Sequence, residues 1–108
     1  MDDLMRELAD IRKELKLSVK ALRKHGNAAA EAERDYQIAK AQTALRLKEE
    51  GYPATLIALI IKGQPEVAEK MFKRDIAKVM YDSNQEHINV KKKDLTVIEA
   101  QIEREWHG

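Results

Sequence analysis

Four cations recur at every fourth residue near the start of the chain: Arg12, Lys16, Lys20 and Lys24. On a helix this spacing lines them up in one row. A row of cations on a rigid rod can follow a phosphate backbone, with each contact releasing counterions. Lys13 and Arg23 thicken the group, Glu14 interrupts it, and Lys91-Lys92-Lys93 forms a second cluster. The candidate nucleic-acid contacts are therefore Arg12, Lys16, Lys20, Lys24, Lys91, Lys92 and Lys93. A solvated outer face of an amphipathic helix explains the same row. The aromatic side chains on which single-strand binders stack bases are missing nearby. Net charge is only +1, so the whole chain exerts no general pull on nucleic acid. Nucleic acid ranks below protein as a partner.

The remaining reactive side chains do not assemble into a recognisable centre. His25, His87 and His107 include no pair at helical i, i+4 spacing with a carboxylate, the usual framework of a metal site. In an antiparallel hairpin His25 and His87 would face each other near Glu31 or Glu86; a hydrogen-bonded seam position is the simpler reading. Asp35 and Asp75 each follow an arginine, so ion pairing is their expected role. A Gly-rich phosphate loop, a Gly-x-Ser-x-Gly elbow and a Ser/His/Asp arrangement are missing. With no cysteine, thiolate metal sites, disulfides and a cysteine nucleophile are excluded. No catalytic residue, metal or cofactor is expected, and the chain is read as a non-enzyme.

The elements that carry these residues follow from composition and periodicity. The 108 residues are 36% charged and 5% aromatic, with four glycines and two prolines. Such a profile belongs to long helices or coiled coil. One helical domain is expected over residues 1–108. A first helix is predicted over about residues 2–50. Leu4, Leu8, Ile11, Leu15, Ser18, Leu22, His25, Ala29, Ala32, Tyr36, Ala39 and Thr43 follow alternating steps of four and three, a heptad seam. Gly26-Asn27 is a candidate break, but the seam keeps its phase across it, which favours one helix bent there at most. Gly51 suits a helix stop, with Pro53 beyond it. A short helix is predicted over about residues 53–62, between Pro53 and Gly63. A strand competes for Leu56 to Ile61, a short apolar run with three isoleucines. Pro65 and Glu66 open a third helix, over about residues 65–106. Its predicted apolar stripe is Val67, Ala68, Met71, Phe72, Ile76, Val79 and Met80, returning at Val90, Leu95, Ile98 and Ile102.

Two long helices joined by a short element imply an all-α antiparallel hairpin tipped by the apolar helix. Each long helix would reach roughly 60–70 Å at about 1.5 Å per residue. A two-helix hairpin has little depth, so completion by a second copy, a dimer for preference, is expected. The segment between Gly51 and Gly63 has no polar face and must be covered on every side. Leu56, Ile57, Leu59, Ile60 and Ile61 are thus candidate oligomer or partner contacts. Trp106 joins them as an anchor, though packing on the hairpin or its dimer mate near Leu4 and Leu8 is the preferred reading of it. The longest apolar run falls far short of the about 20 residues that span a bilayer. The acidic start, Met1-Asp2-Asp3, does not read as a signal peptide. A cytoplasmic setting is expected.

Three stretches resemble small uncharacterised proteins of phages and prophages of Gram-positive bacteria. They are Glu31-Ala32-Glu33-Arg34-Asp35-Tyr36; Leu45 to Ile57 with its Gly51-Tyr52-Pro53 turn; and the ending Ala100-Gln101-Ile102-Glu103-Arg104-Glu105-Trp106. Lys62-Gly63-Gln64-Pro65-Glu66-Val67-Ala68 and Lys73-Arg74-Asp75-Ile76-Ala77 belong to the same pattern, which covers about residues 15–107. The resemblance implies a phage protein from a region that handles DNA, in a bacterial host, and it assigns no functional residue. The leading expectation is a protein that acts by helix-mediated self-association and protein binding. A DNA-binding accessory of phage replication or recombination, and an inhibitor of a host enzyme or defence system, are the alternatives.

Overall fold

The computed structural model describes residues 2–107. Among them there is no strand, and the order is α1 (Asp2–Glu49), α2 (Ala54–Ile60), a 3-10 turn (Ile61–Gly63) and α3 (Pro65–His107). The long helices α1 and α3 pack against each other with α2 between them in the chain, a helical hairpin. Helix α1 runs through Gly26 and Asn27 without a break. One glycine costs a helix about 1 kcal/mol, and here good helix formers flank it, including Ala28-Ala29-Ala30-Glu31. Asp2 and Asp3 in the first turn, with Arg46 and Lys48 in the last, complement the helix dipole.

The stop after α1 is built from backbone. Gly51 sits at φ +96°, in the left-handed region. Its N–H donates to the Lys48 carbonyl at 3.0 Å, and the Tyr52 N–H reaches back to the Leu47 carbonyl at 3.1 Å. These two bonds form a Schellman motif, which satisfies carbonyls that the helix end leaves open. Pro53 is the N-cap of α2 rather than its first helical residue, and the Pro53 carbonyl accepts from the Ile57 N–H at 3.0 Å. The predicted stretch to residue 62 closes as a 3-10 turn instead of α-helix. Gln64 then caps α3, its carbonyl accepting from the N–H groups of Val67 and Ala68 at 3.0 and 2.8 Å. Pro65 begins α3, where a missing N–H costs nothing.

The chain divides into two compact units, one formed by residues 1–24 with 81–108 and the other by residues 25–80. In the first unit Leu8, Ile11 and Ile98 form the core, with Leu4, Leu95 and Ile102 packed against it. The Asn84 amide also donates to the Ser18 carbonyl at 3.0 Å. In the second unit Tyr36, Leu47, Ile61 and Val67 form the core, joined by Ala44, Ile57, Ile60 and Met71. Every predicted seam position of α1, from Leu4 to Thr43, is buried or half-buried.

The predicted stripe of α3 is corrected. Val67 and Met71 face the core, but Phe72, Ile76, Val79 and Met80 are exposed, as is Val90. Arg74 is half-buried in their place. Its guanidinium stacks over the Tyr36 ring, 4.3 Å from the centroid, and its Nε lies 3.6 Å from Glu33. A cation over an aromatic face is favourable, and the long arginine stem packs as an apolar chain. This contact turns α3 so that its bulkiest residues face away from α1.

The two turn glycines separate backbone strain from packing, because neither would place a Cβ within 4 Å of a neighbour. Gly51→Ala should destabilise the fold by about 1–2 kcal/mol through its positive φ. Gly63→Ala should be neutral or stabilising by up to about 1 kcal/mol. Urea midpoints measure both, and equal effects would contradict the assignment of the Gly51 strain.

Candidate interaction surface

Helix α2 covers itself only in part. Ile61 is 5% exposed and enters the core beside Tyr36, Leu47 and Val67, with Ile57 and Ile60 packed against that cluster. Leu56 and Leu59 point outward, and Leu59 is 82% exposed. Of the five predicted contact residues here, three are therefore tied to the hairpin and two are free for a partner. The helix is amphipathic in place, although its sequence has no polar face, because α1 and α3 reach only one side of it.

Against α1 this arrangement leaves a groove of about 570 Å³. Ala41, Ala44 and Leu45 of α1 and Ala54, Ile57 and Ala58 of α2 line it, with Ile61 beneath and Lys40 and Lys48 at its edge. The alanines keep the facing walls short, so the space stays open. No carboxylate lines it. In the same unit α3 presents a second apolar surface: Phe72, Ile76, Val79 and Met80 surround Asp75 in a shallow depression. Phe72 is 65% exposed. Arg74 holds the Asp75 carboxylate, its Nε and Nη2 donating to Oδ1 at 3.0 and 2.9 Å. Sequence reasoning put the four apolar residues in one stripe with Val67, Ala68 and Met71. The available signal was width, since Phe72, Ile76, Val79 and Met80 beside Val67, Ala68 and Met71 make more apolar surface than one narrow seam can cover.

Trp106 is 71% exposed, so within one chain it does not pack on Leu4 and Leu8. Those leucines are covered by Leu95, Ile98 and Ile102.

The basic residues separate into two groups. Lys16, Lys20 and Lys24 are exposed and make no ion pair among the described residues. Arg12 lies 3.7 Å from Glu99. Lys91 is drawn into the seam, where its Nζ is 2.7 Å from Glu14 and 3.9 Å from Asp94. It therefore meets the acidic residue beside the lysine row and not the row itself, while Lys92 and Lys93 stay exposed. The hydrogen bond and charge of Lys91 hold the Glu14 carboxyl below its ordinary range, and Glu14 in turn raises Lys91. Among the described residues no group of three or more His, Asp or Glu is placed to hold a metal ion.

The tip is fastened by one acid. Glu66, in the first turn of α3, accepts from Thr43 Oγ1 at 3.2 Å and from the Arg46 guanidinium. Its own backbone N–H, then Arg46, then Thr43, hold its carboxyl below the ordinary 4.5. Thr43, the one buried polar side chain among the described residues, is thereby satisfied.

No family model, curated protein or solved structure matches this chain.

Glu66 and Glu14 both bind protons less readily folded than unfolded. The stability they confer is in place above the unfolded carboxylate range and is lost as pH falls through their lowered folded values. Glu66→Gln should lower the urea midpoint at about pH 7, and the gap from the parent protein should narrow at about pH 3. An equal gap at both pH values would remove Glu66 ionisation from the account of the tip.

Proposed function

We propose that this chain is a non-enzymatic phage or prophage interaction protein, acting in the bacterial cytoplasm through helix-mediated self-association and protein binding. The observation that carries this reading is the exposed face of Phe72, Ile76, Val79 and Met80. Contiguous large apolar side chains in water mark binding surfaces, whereas singly scattered ones need no explanation. The exposed Leu56, Leu59 and Trp106 add to it. The phage setting rests on the resemblance of the Gly51-Tyr52-Pro53 turn and the Glu103-Arg104-Glu105-Trp106 ending alone.

Light scattering at micromolar concentration should give about twice the chain mass of 12.4 kDa. Replacing Phe72 and Val79 by serine should move the mass to that of a monomer with helicity retained, since neither side chain is in a core. A monomer for the parent chain would sink self-association.

Lys16, Lys20 and Lys24, exposed and without an ion pair among the described residues, favour a second reading as a DNA-binding accessory of replication or recombination. Under it, binding to duplex DNA at low salt falls steeply with ionic strength, and a slope of about −0.9 per phosphate contacted measures the row. A gel shift with no retarded band at low salt retires this reading.

A further inference from the structure

The groove and the α3 face lie in the same compact unit and are complementary in two respects. The groove is concave and apolar, with lysines 40 and 48 at its edge and no carboxylate. The α3 face is apolar and carries one charged residue among its four apolar ones, Asp75, whose Oδ1 is held by Arg74. Among the described residues Lys48 has no ion-pair partner, and the other groove cation, Lys40, sits 5.8 Å from the centroid of the Tyr36 ring. We propose that the occupant of the groove is the α3 face of a second copy of this chain, with Phe72, Ile76 and Val79 entering beside Ala41, Ala44 and Ala58, and Asp75 meeting the groove lysines. This rests on the self-association proposed above and names the surfaces that perform it.

The groove shares one flank of the hairpin with the Asp75 and Val79 edge of the α3 face, which is the edge an exchange between copies would use. The Arg46–Glu66 bridge closes one flank of the α1–α3 seam. Counting about 100° per residue, Ala41, Ala44 and Lys48 lie on the flank of α1 away from Arg46. On α3 Asp75 and Val79 lie on the flank away from Glu66, Phe72 and Ile76 lie on the back of the helix opposite the seam, and Met80 lies on the Glu66 side. Two copies facing each other across a two-fold axis can then insert each α3 into the other's groove. Both surfaces of both copies are used, so the assembly closes as a dimer and leaves no end to extend. The fit is of helix in groove, where exposed i, i+4 and i+7 side chains supply the anchors, here Phe72, Ile76 and Val79. A small ligand would be held poorly, because the groove opens along its length and ligand sites bury most of their occupant.

Charge exchange tests the pairing. One variant carries Lys40→Glu with Lys48→Glu, the other Asp75→Lys, and each alone sets like charges against each other in both halves of the dimer. Each should be monomeric by light scattering at the concentration where the parent chain is a dimer, with unchanged helicity. Mixed in equal amounts they should recover the dimer mass, because both contacts of the mixed pair are again opposite in charge. The cysteine-free chain allows a second readout: Ala58→Cys with Ile76→Cys should cross-link between subunits on mild oxidation. Dimers from each charge variant alone, or a parent dimer in which the cysteine pair does not cross-link, would overturn this interface and leave self-association standing. A monomeric parent chain would overturn both.

Discussion

Two helices that meet along one seam cover a single narrow face of each other, and this constraint governs the molecule. A third helix of α2's length cannot close the gap, because α2 spans only Ala54–Ile60. Its Ile57 and Ile60 reach the core of Tyr36, Leu47, Ile61 and Val67, and the rest of its surface meets water. An apolar residue outside the seam therefore has no intramolecular place to go. Exposure of Phe72, Ile76, Val79, Met80 and Leu59 follows from architecture rather than from a packing fault.

Polar residues decide which face of α3 enters the seam. Arg74 stacks on Tyr36, Asn84 bonds the Ser18 carbonyl, and Lys91 pairs with Glu14. Each occupies a half-buried seam position that an aliphatic residue could fill. Buried polar positions of this kind fix register at some cost in stability. In α3 they also fix rotation. A turn of α3 that buried Phe72 and Ile76 would strip Tyr36 of its guanidinium and leave the Arg74 charge without Glu33. The chain thus holds its largest apolar side chains outward by placing better-matched polar contacts inward.

Much of this was legible in the residues. The α1 seam could be read at every position because one phase dominates from Leu4 to Thr43, and Gly51, Pro53 and Gly63 punctuate the tip. The rotation of α3 could not be read, because two apolar stripes coexist over residues 67–80 and hydropathy ranks Phe72 above Arg74. Only the partner position, Tyr36 on α1, makes arginine the better seam residue, and a cation over a ring is a contact across helices that periodicity does not register. For Lys91 the same holds: three consecutive lysines read as one basic cluster, yet Glu14 selects the first of them. The groove could not be read for a different reason, since the shortness of Ala41, Ala44 and Ala58 matters only once α2 is set beside α1.

The shortness of those alanines bears on how strongly the chain commits to a partner. Leucines there would fill the space and let α2 lie flush on α1, completing a monomer core. Alanine leaves about 570 Å³ between the two helices, bounded by apolar walls and edged by lysines. Open apolar space of that size is costly in water, and the largest uncovered apolar side chains of the same unit, on α3, cannot reach it within one chain because Arg74 and Val67 hold α3 in its seam. The vacancy and the surplus therefore sit on one chain as complementary halves, which the proposed association with another copy would satisfy at once.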